Sequence, residues 1–465
     1  MGPTKKLAHF VAETSLDDIP SHVVMEAKNL IINVLGAILA GSAEKTGKIG
    51  IDLVRWAGGE PQSTVIGGGF KTSSIMASLA NGISAHATDQ DDNDVRIGAT
   101  HPTVTILPAV LALGEYGHAS GKQILEAYIL GVEAEDRVGL GVTPAHLAKG
   151  FHGTGVLGHV GATIGCCKLL HFEAKDTETA LGIVGSLASG IRHNVGSMSK
   201  PLSAGNAAEN GIIAATLAQR GFTSVEDVLE GTLGGALGFV HTFGGDEAKP
   251  EYIAKDLGRP YVIESPGIAI KGNPCGTYAS ALVETLQAMV KEYSFSADQV
   301  ESIELGTNPQ LPNLMRYVYP KDSLEAKYSV PFVVAVTLVD GGATLKQFTN
   351  EKVQDLKVKE LISKVKVYIH PDLADRIDRT KLSATQMARA YITIRLISGE
   401  EYSRWTESAK GYVDKPLTER EFFERYYSFA SLVLSSHSIK ETFEMVRSLE
   451  KIRDIGELMF LLRGD

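Results

Sequence analysis

Cysteine is scarce in this chain: three among 465 residues, two of them adjacent at Cys166 and Cys167. Such a set builds neither a disulfide framework nor the paired spacing of a zinc site. Positive charge is in the minority, with 45 Lys and Arg against 55 Asp and Glu, a formal net charge of −10. Nucleic acid and anionic membrane are therefore disfavoured as main partners, and an anionic small molecule needs a local basic pocket. Long apolar runs are missing too: the longest, VPFVVAVTLV at 330–339, is too short to span a bilayer. The opening MGPTKKLAHFVAETS holds no apolar stretch of signal-peptide length, and Lys6 stands where a myristoylation signal needs Ser or Thr. With 44% hydrophobic and 22% charged residues, the expectation is a cytoplasmic, reduced, globular protein of two or three domains.

Three motifs suggest chemistry and lack its context. GTGVLG at 153–158 matches the dinucleotide fingerprint, yet TPAHLAKGFH before it is not strand-like, so no turn delivers pyrophosphate to a helix. SMSK at 197–200 matches a lysine-activated serine, but its KTG at 45–47 lies ahead of the serine and no S-D-N accompanies it. The acidic run at 89–94 imitates a calcium loop for five positions, then places Asp94 where Gly is required and Thr100 at the final Glu. A looser cation site from Asp91, Asp92 or Asp94 and a plain solvated turn both remain open from these residues. The expectation carried forward is no metal and no cofactor.

What is abundant is helical periodicity. Residues 19–40 align Val23, Ala27, Leu30, Ile31, Val34 and Ile38 on one stripe between Pro20 and Gly41. A second pattern covers 74–88, which puts Asp89 at or just past a helix end. Ser120 with Gln123 forms a capping box for 121–138, and further patterns run over 153–170, 176–192, 204–220 and 224–230. The glycines in GTGVLGHVGATIG and LGIVGSLASG read as places where buried helices pack closely. Beyond residue 260 the period changes: 261–272, 299–308, 364–370 and 390–400 look like strands, with helices at 277–292 and 324–339 between them. Helical patterns return at 418–429 and 439–450. The fold class is mainly α, with an all-helical domain over 1–264 completed by 406–465 and a smaller α+β domain over 265–405.

Several segments set a charged or polar side chain among small residues: HATDQDD, GATHPT, KGFHGTG, MSKPLSAGN and AIKGNPCGTYAS. Five such stretches in one chain point to a shared pocket. HATDQDD with ATHPT, GFHGTGVLGHVGAT, SKPLSAGNAAENGIIAATLAQRGF, KGNPCG and YVYPKDSLEAKYSV together resemble the MmgE/PrpD family. That family includes 2-methylcitrate dehydratase, cis-aconitate decarboxylase and iminodisuccinate epimerase. The likeness runs in order over roughly residues 5 to 460. It implies a helical main domain with a smaller α+β lid, a site in the cleft between them, a homodimer, and chemistry without metal, flavin or nicotinamide.

Carried over residue by residue, the resemblance implies that Asp89, His101, His152, Lys200 and Tyr317 are catalytic, with Tyr319 as the alternative tyrosine. Asn93, Lys271 and Tyr278 are the implied substrate-binding residues. Two departures stand out: the segment between Asp89 and His101 is two residues longer than in the decarboxylases, and Tyr278 replaces a usual His. The expected reaction is a lyase step on a small di- or tricarboxylate, through an enolate-type intermediate. The runner-up is an epimerase of an imino- or amino-dicarboxylate, and the reading of another class is an inactive polycarboxylate-binding protein. His101 and His152 are expected to relay the proton, Asp89 to orient or charge His101, Lys200 to steady enolate charge, and Tyr317 to donate to the opposite face.

Overall fold

The computed structural model describes residues 1–97, 100–143, 145–374 and 383–464; Gly98 and Ala99 of the GATHPT segment lie outside them. The chain divides into two compact units. One comprises Met1–His193, Ser199–Ile268 and Thr418–Asp465, and the other Asn194–Met198 and Ala269–Leu417.

The first unit is built of helices. Ser21–Ala43 is its long central helix, and Val23, Ala27, Leu30, Ile31, Val34 and Ile38 are all buried. Ile32, Leu35 and Leu39 on its other faces are buried as well, which is the pattern of a helix surrounded by others. At 23 residues it is also long and apolar enough to cross a bilayer, which the reading of 330–339 as the longest apolar stretch overlooked. Here 78% of its most apolar window is buried inside the unit, as in a core helix.

Around it stand Ser74–Ala87, Pro102–Tyr116, Gly121–Val142, Gly153–Leu169 and Ser199–Gln219. The Ser120–Gln123 capping box forms at the start of Gly121–Val142. Two glycines set distances that matter for function. A Cβ on Gly82 would lie 2.7 Å from the Gly205 Cα, so Ser74–Ala87 and Ser199–Gln219 meet backbone to backbone. A Cβ on Gly158 would lie 2.5 Å from Thr105 Cγ2, which holds Gly153–Leu169 equally close to Pro102–Tyr116. Glu419–Ala430 and Ser436–Arg447 return to this unit from the end of the chain, and the former packs on Ser21–Ala43.

The second unit carries a four-stranded sheet in the order Val365–Ile369, Val300–Thr307, Tyr391–Leu396, Glu401–Trp405. The first pair is parallel and the other two are antiparallel. Alternation along Tyr391–Leu396 is real: Ile392, Ile394 and Leu396 face the core. Ala279–Tyr293, Val330–Asp340 and Leu356–Lys364 are its main helices. The whole is mainly α, with a smaller α+β part, as the periodicity indicates.

Local expectations fail in four places. The helix expected over 176–192 is Ala174–Gly185 and stops well short of 192. No helix forms over 224–230, where residues lie in turns between Gly221 and Gly231; a run that short gains too little to repay helix nucleation. The segment 261–272 contains only the two-residue strand Ala269–Ile270, preceded by a turn of π-helix at Ile263–Gly267. The helix expected over 324–339 is split into Ser323–Ala326 and Val330–Asp340, because Pro331 opens a new helix capped by the Ser329 hydroxyl.

Candidate active site

Four helix ends gather the predicted residues of the first unit. Ser74–Ala87 ends at Thr88, and Asp89 follows with a left-handed φ of 60°. His101 is the N-cap of Pro102–Tyr116, and His152 is the N-cap of Gly153–Leu169. Lys200 lies in the first turn of Ser199–Gln219. Three of these ends are helix N-termini, whose unpaired N–H groups and dipoles favour an anion.

Asp89 and Lys200 form a buried ion pair, with Lys200 Nζ donating to Asp89 Oδ1 at 2.8 Å. This corrects the expected pairing of Asp89 with His101. The carboxylate that meets His101 is Asp91, whose Oδ2 lies 2.9 Å from His101 Nδ1 and 3.2 Å from His86 Nδ1. The left-handed turn at Asp89 redirects the chain, so Asp89 and Asp91 serve different cations. His101 Nδ1 is also 2.7 Å from the Asp92 carbonyl oxygen. Both neighbours of Nδ1 are acceptors, so that nitrogen carries the proton and Nε2 is the basic one.

The imidazoles form a file. His86 and His101 have ring centroids 4.6 Å apart, and His86 and His152 are 6.3 Å apart and stacked. Burial, with Lys200 adding to it, pushes His86 down to about 3 and His152 well below the ordinary imidazole range. Both are neutral rings at physiological pH.

The acidic run is no solvated turn. Asp89, Asp91, Asp92 and Asp94 are all buried. Asp92 Oδ2 accepts from the Thr103 N–H at 3.3 Å and from the Thr103 hydroxyl, so it caps the helix that His101 begins. Burial, with Asp91 beside it, raises Asp92 to about 7. Asp94 accepts from Arg96 N at 2.9 Å, and Arg96 in turn grips Asp136. Burial and the Asp136 charge hold Asp94 well above the usual carboxylate range. Donor atoms of His86, Asp91 and His101 lie within 4.8 Å of one another, as a cation site would need. On His101 Nδ1, however, the nearby carbonyl demands a proton where a metal demands a lone pair.

Asn93 is buried on the two-residue strand Asp92–Asn93. The other three predicted residues lie in the second unit. Lys271 and Tyr278 are buried, and Tyr278 precedes Ala279–Tyr293 as its N-cap. Tyr317 is half-buried; its hydroxyl donates to the Val195 carbonyl at 2.9 Å and accepts from Arg316 at 2.9 Å. Tyr319 is 68% exposed. The GTGVLG motif opens the Gly153–Leu169 helix, and no strand leads into it among the described residues.

The family model for the MmgE/PrpD N-terminal domain matches residues 5–250, and that for the C-terminal domain matches residues 274–451. The chain belongs to the MmgE/PrpD family. It is 27% identical to the cis-aconitate decarboxylase of Homo sapiens over 477 residues, 99% of this chain and 94% of that one. It is similar to the mouse cis-aconitate decarboxylase at 25% identity, covering 99% and 93% of the two chains. The cis-aconitate decarboxylase of Aspergillus terreus strain NIH 2624 / FGSC A1156 is 27% identical, with 99% and 96% covered.

Within this MmgE/PrpD site, sequence reasoning passed over two residues that the geometry makes central. His86 opens the HATDQDD stretch and was visible there. Asp91 reads from the sequence only as a loop or metal carboxylate.

Proposed function

We propose that the chain is a lyase that removes carbon dioxide or water from a small di- or tricarboxylate, with cis-aconitate as the first candidate substrate. The observation that carries this reading is His101, fixed in one tautomer by the Asp91 carboxylate and the Asp92 carbonyl, in a buried file with His86 and His152 beside the Asp89–Lys200 pair. Full-length similarity to cis-aconitate decarboxylases supports it.

In decarboxylation one carbon–carbon bond breaks, carbon dioxide leaves, and the electron pair stays on the skeleton as an enolate-type carbanion. A proton must then reach carbon. For this, His101 enters as the imidazolium stabilised by Asp91, delivers the proton from Nε2 to carbon and is re-protonated from solvent. In dehydration, neutral His101 first takes the carbon proton on Nε2 and gives it to the departing hydroxyl. Lys200 and the three helix N-termini supply fixed positive potential to the carboxylates and to the developing negative charge. Asp89 holds the Lys200 ammonium in place. His152, neutral, is a second proton carrier, its ring stacked with that of His86. Tyr317 as a catalytic donor, and Lys271, Asn93 and Tyr278 as substrate contacts, are proposed on the family resemblance, which is also the ground for proposing a homodimer. A cytoplasmic location is proposed on composition alone.

The test is an NMR screen of cis-aconitate, 2-methylcitrate, citrate and iminodisuccinate with the purified protein. Carbon dioxide or water loss from a polycarboxylate supports the lyase. Epimerisation of iminodisuccinate alone would replace it with an isomerase, and saturable binding without any turnover would leave only a binding protein.

A further inference from the structure

Arg425 stands on the Glu419–Ala430 helix, within a stretch, EREFFERYYSFA, that looks like an ordinary amphipathic surface. Its stem is partly exposed, but its guanidinium turns inward. Nε donates to Asn33 Oδ1 at 2.8 Å, and an NH2 group donates to the Gln90 carbonyl at 2.8 Å. Asn33 Nδ2 approaches the same carbonyl at 3.4 Å. The Phe429 ring, one turn on, covers the guanidinium at 4.8 Å. Asn33 is otherwise an oddity, a buried amide midway along a long apolar helix of the unit. Its role here is to orient an arginine.

Gln90 is the residue before Asp91. A buried arginine on its carbonyl fixes the peptide from which the Asp91 side chain departs. It also brings a positive charge to the residue adjoining a carboxylate that has lost its water. Burial draws Arg425 down to about 10, and the Asp91 charge pulls the other way. At that value Arg425 remains a cation at any pH where the enzyme would work. Among the described residues, the charged and titratable groups around Asp91 include His86 and His101 at contact distance, Arg425 through Gln90, Asp92 next in the chain, and the Asp89–Lys200 pair two residues back.

We propose that Arg425 is a positioning residue for this chemistry: it fixes the Gln90–Asp91 backbone and supplies the positive charge that keeps Asp91 a carboxylate between His86 and His101. The proposal rests on the lyase reading above. Its consequence is directional. Removing a nearby cation raises the pH at which Asp91 takes a proton. Protonated Asp91 no longer stabilises the His101 imidazolium, so the acid limb of the rate profile must move to higher pH.

The experiment compares wild type, Arg425→Met and Arg425→Lys with whichever polycarboxylate the wild type turns over, across pH 5 to 9. Arg425→Met should lower kcat by roughly tenfold or more, change KM by less than about threefold, and move the acid limb of kcat up by about one pH unit. Arg425→Lys keeps the charge but cannot hold Asn33 and Gln90 together. It should retain the wild-type limb while losing kcat several-fold.

An unmoved limb in a folded Arg425→Met, even with reduced amplitude, would show a merely structural residue and overturn the proposal. If Arg425→Met does not fold, Arg425→Lys decides. A displaced limb, or wild-type rates at every pH, would contradict the assignment. Absence of wild-type turnover on every polycarboxylate would instead remove the lyase reading, so the two failures are distinguishable.

Discussion

Asp89 and Asp91 are two residues apart and do different work. Asp89 pairs with the Lys200 ammonium and holds it in place, while Asp91 lies between His86 and His101. Asp91→Asn keeps the shape and removes the charge, so turnover should fall by roughly 10² or more with little change in melting temperature. His101→Gln should resemble it, and the double variant should be scarcely worse than either single, because the pair acts as a unit. Multiplicative losses would separate them. Lys200→Met leaves the buried Asp89 carboxylate without this cation and should cost stability as well as rate, by roughly 3 kcal/mol or more. Adding Asp89→Asn should restore much of the melting temperature and none of the rate. The residue types of this site were legible in HATDQDD, ATHPT and KPL. Their pairing was not, since a left-handed residue after a helix end turns consecutive side chains in directions that no periodicity reports.

Elements were readable where one period ran long enough. The Ser21–Ala43 helix, the Ser120 cap and the alternating strand at Tyr391–Leu396 all follow from local pattern. The split at Pro331 and the turns over 224–230 show where a short or interrupted pattern loses to capping and turn chemistry. The cap on the Pro102–Tyr116 helix makes a prediction about pH. Asp92 is raised from an ordinary 3.8 to about 7 by burial and by Asp91. A group whose folded pKa lies above its unfolded one contributes most below the unfolded value, and that contribution is lost as pH rises from about 4 through 7. His86, lowered to about 3, acts oppositely: its contribution is present above 6.5 and is lost as pH falls toward 3. Asp92→Asn removes the first trend alone. Its melting temperature relative to wild type should therefore rise between pH 5 and 8, and a constant difference would contradict the assignment.

On the scale of the molecule, the chain assembles its candidate site from four helix starts and ends, then returns 335 residues after Gln90 to support it through Arg425. That long-range support had no sequence signal, because Arg425 and Asn33 are 392 positions apart and each looks ordinary alone. The same geometry gives His101 Nδ1 a proton instead of a metal, so exhaustive dialysis against EDTA should leave turnover intact. Loss of activity restored by a divalent cation would reinstate His86, Asp91 and His101 as a metal centre. The account rests on one proton, held at His101 under the charge of Asp91. Following cis-aconitate in heavy water by NMR, for wild type and Asp91→Asn side by side, tests it most directly. Wild type should release carbon dioxide and place one solvent deuterium on the product carbon skeleton, and Asp91→Asn should do so roughly 10² times more slowly. A wild type that turns over without incorporating deuterium, or an Asp91→Asn variant as fast as wild type, would contradict it.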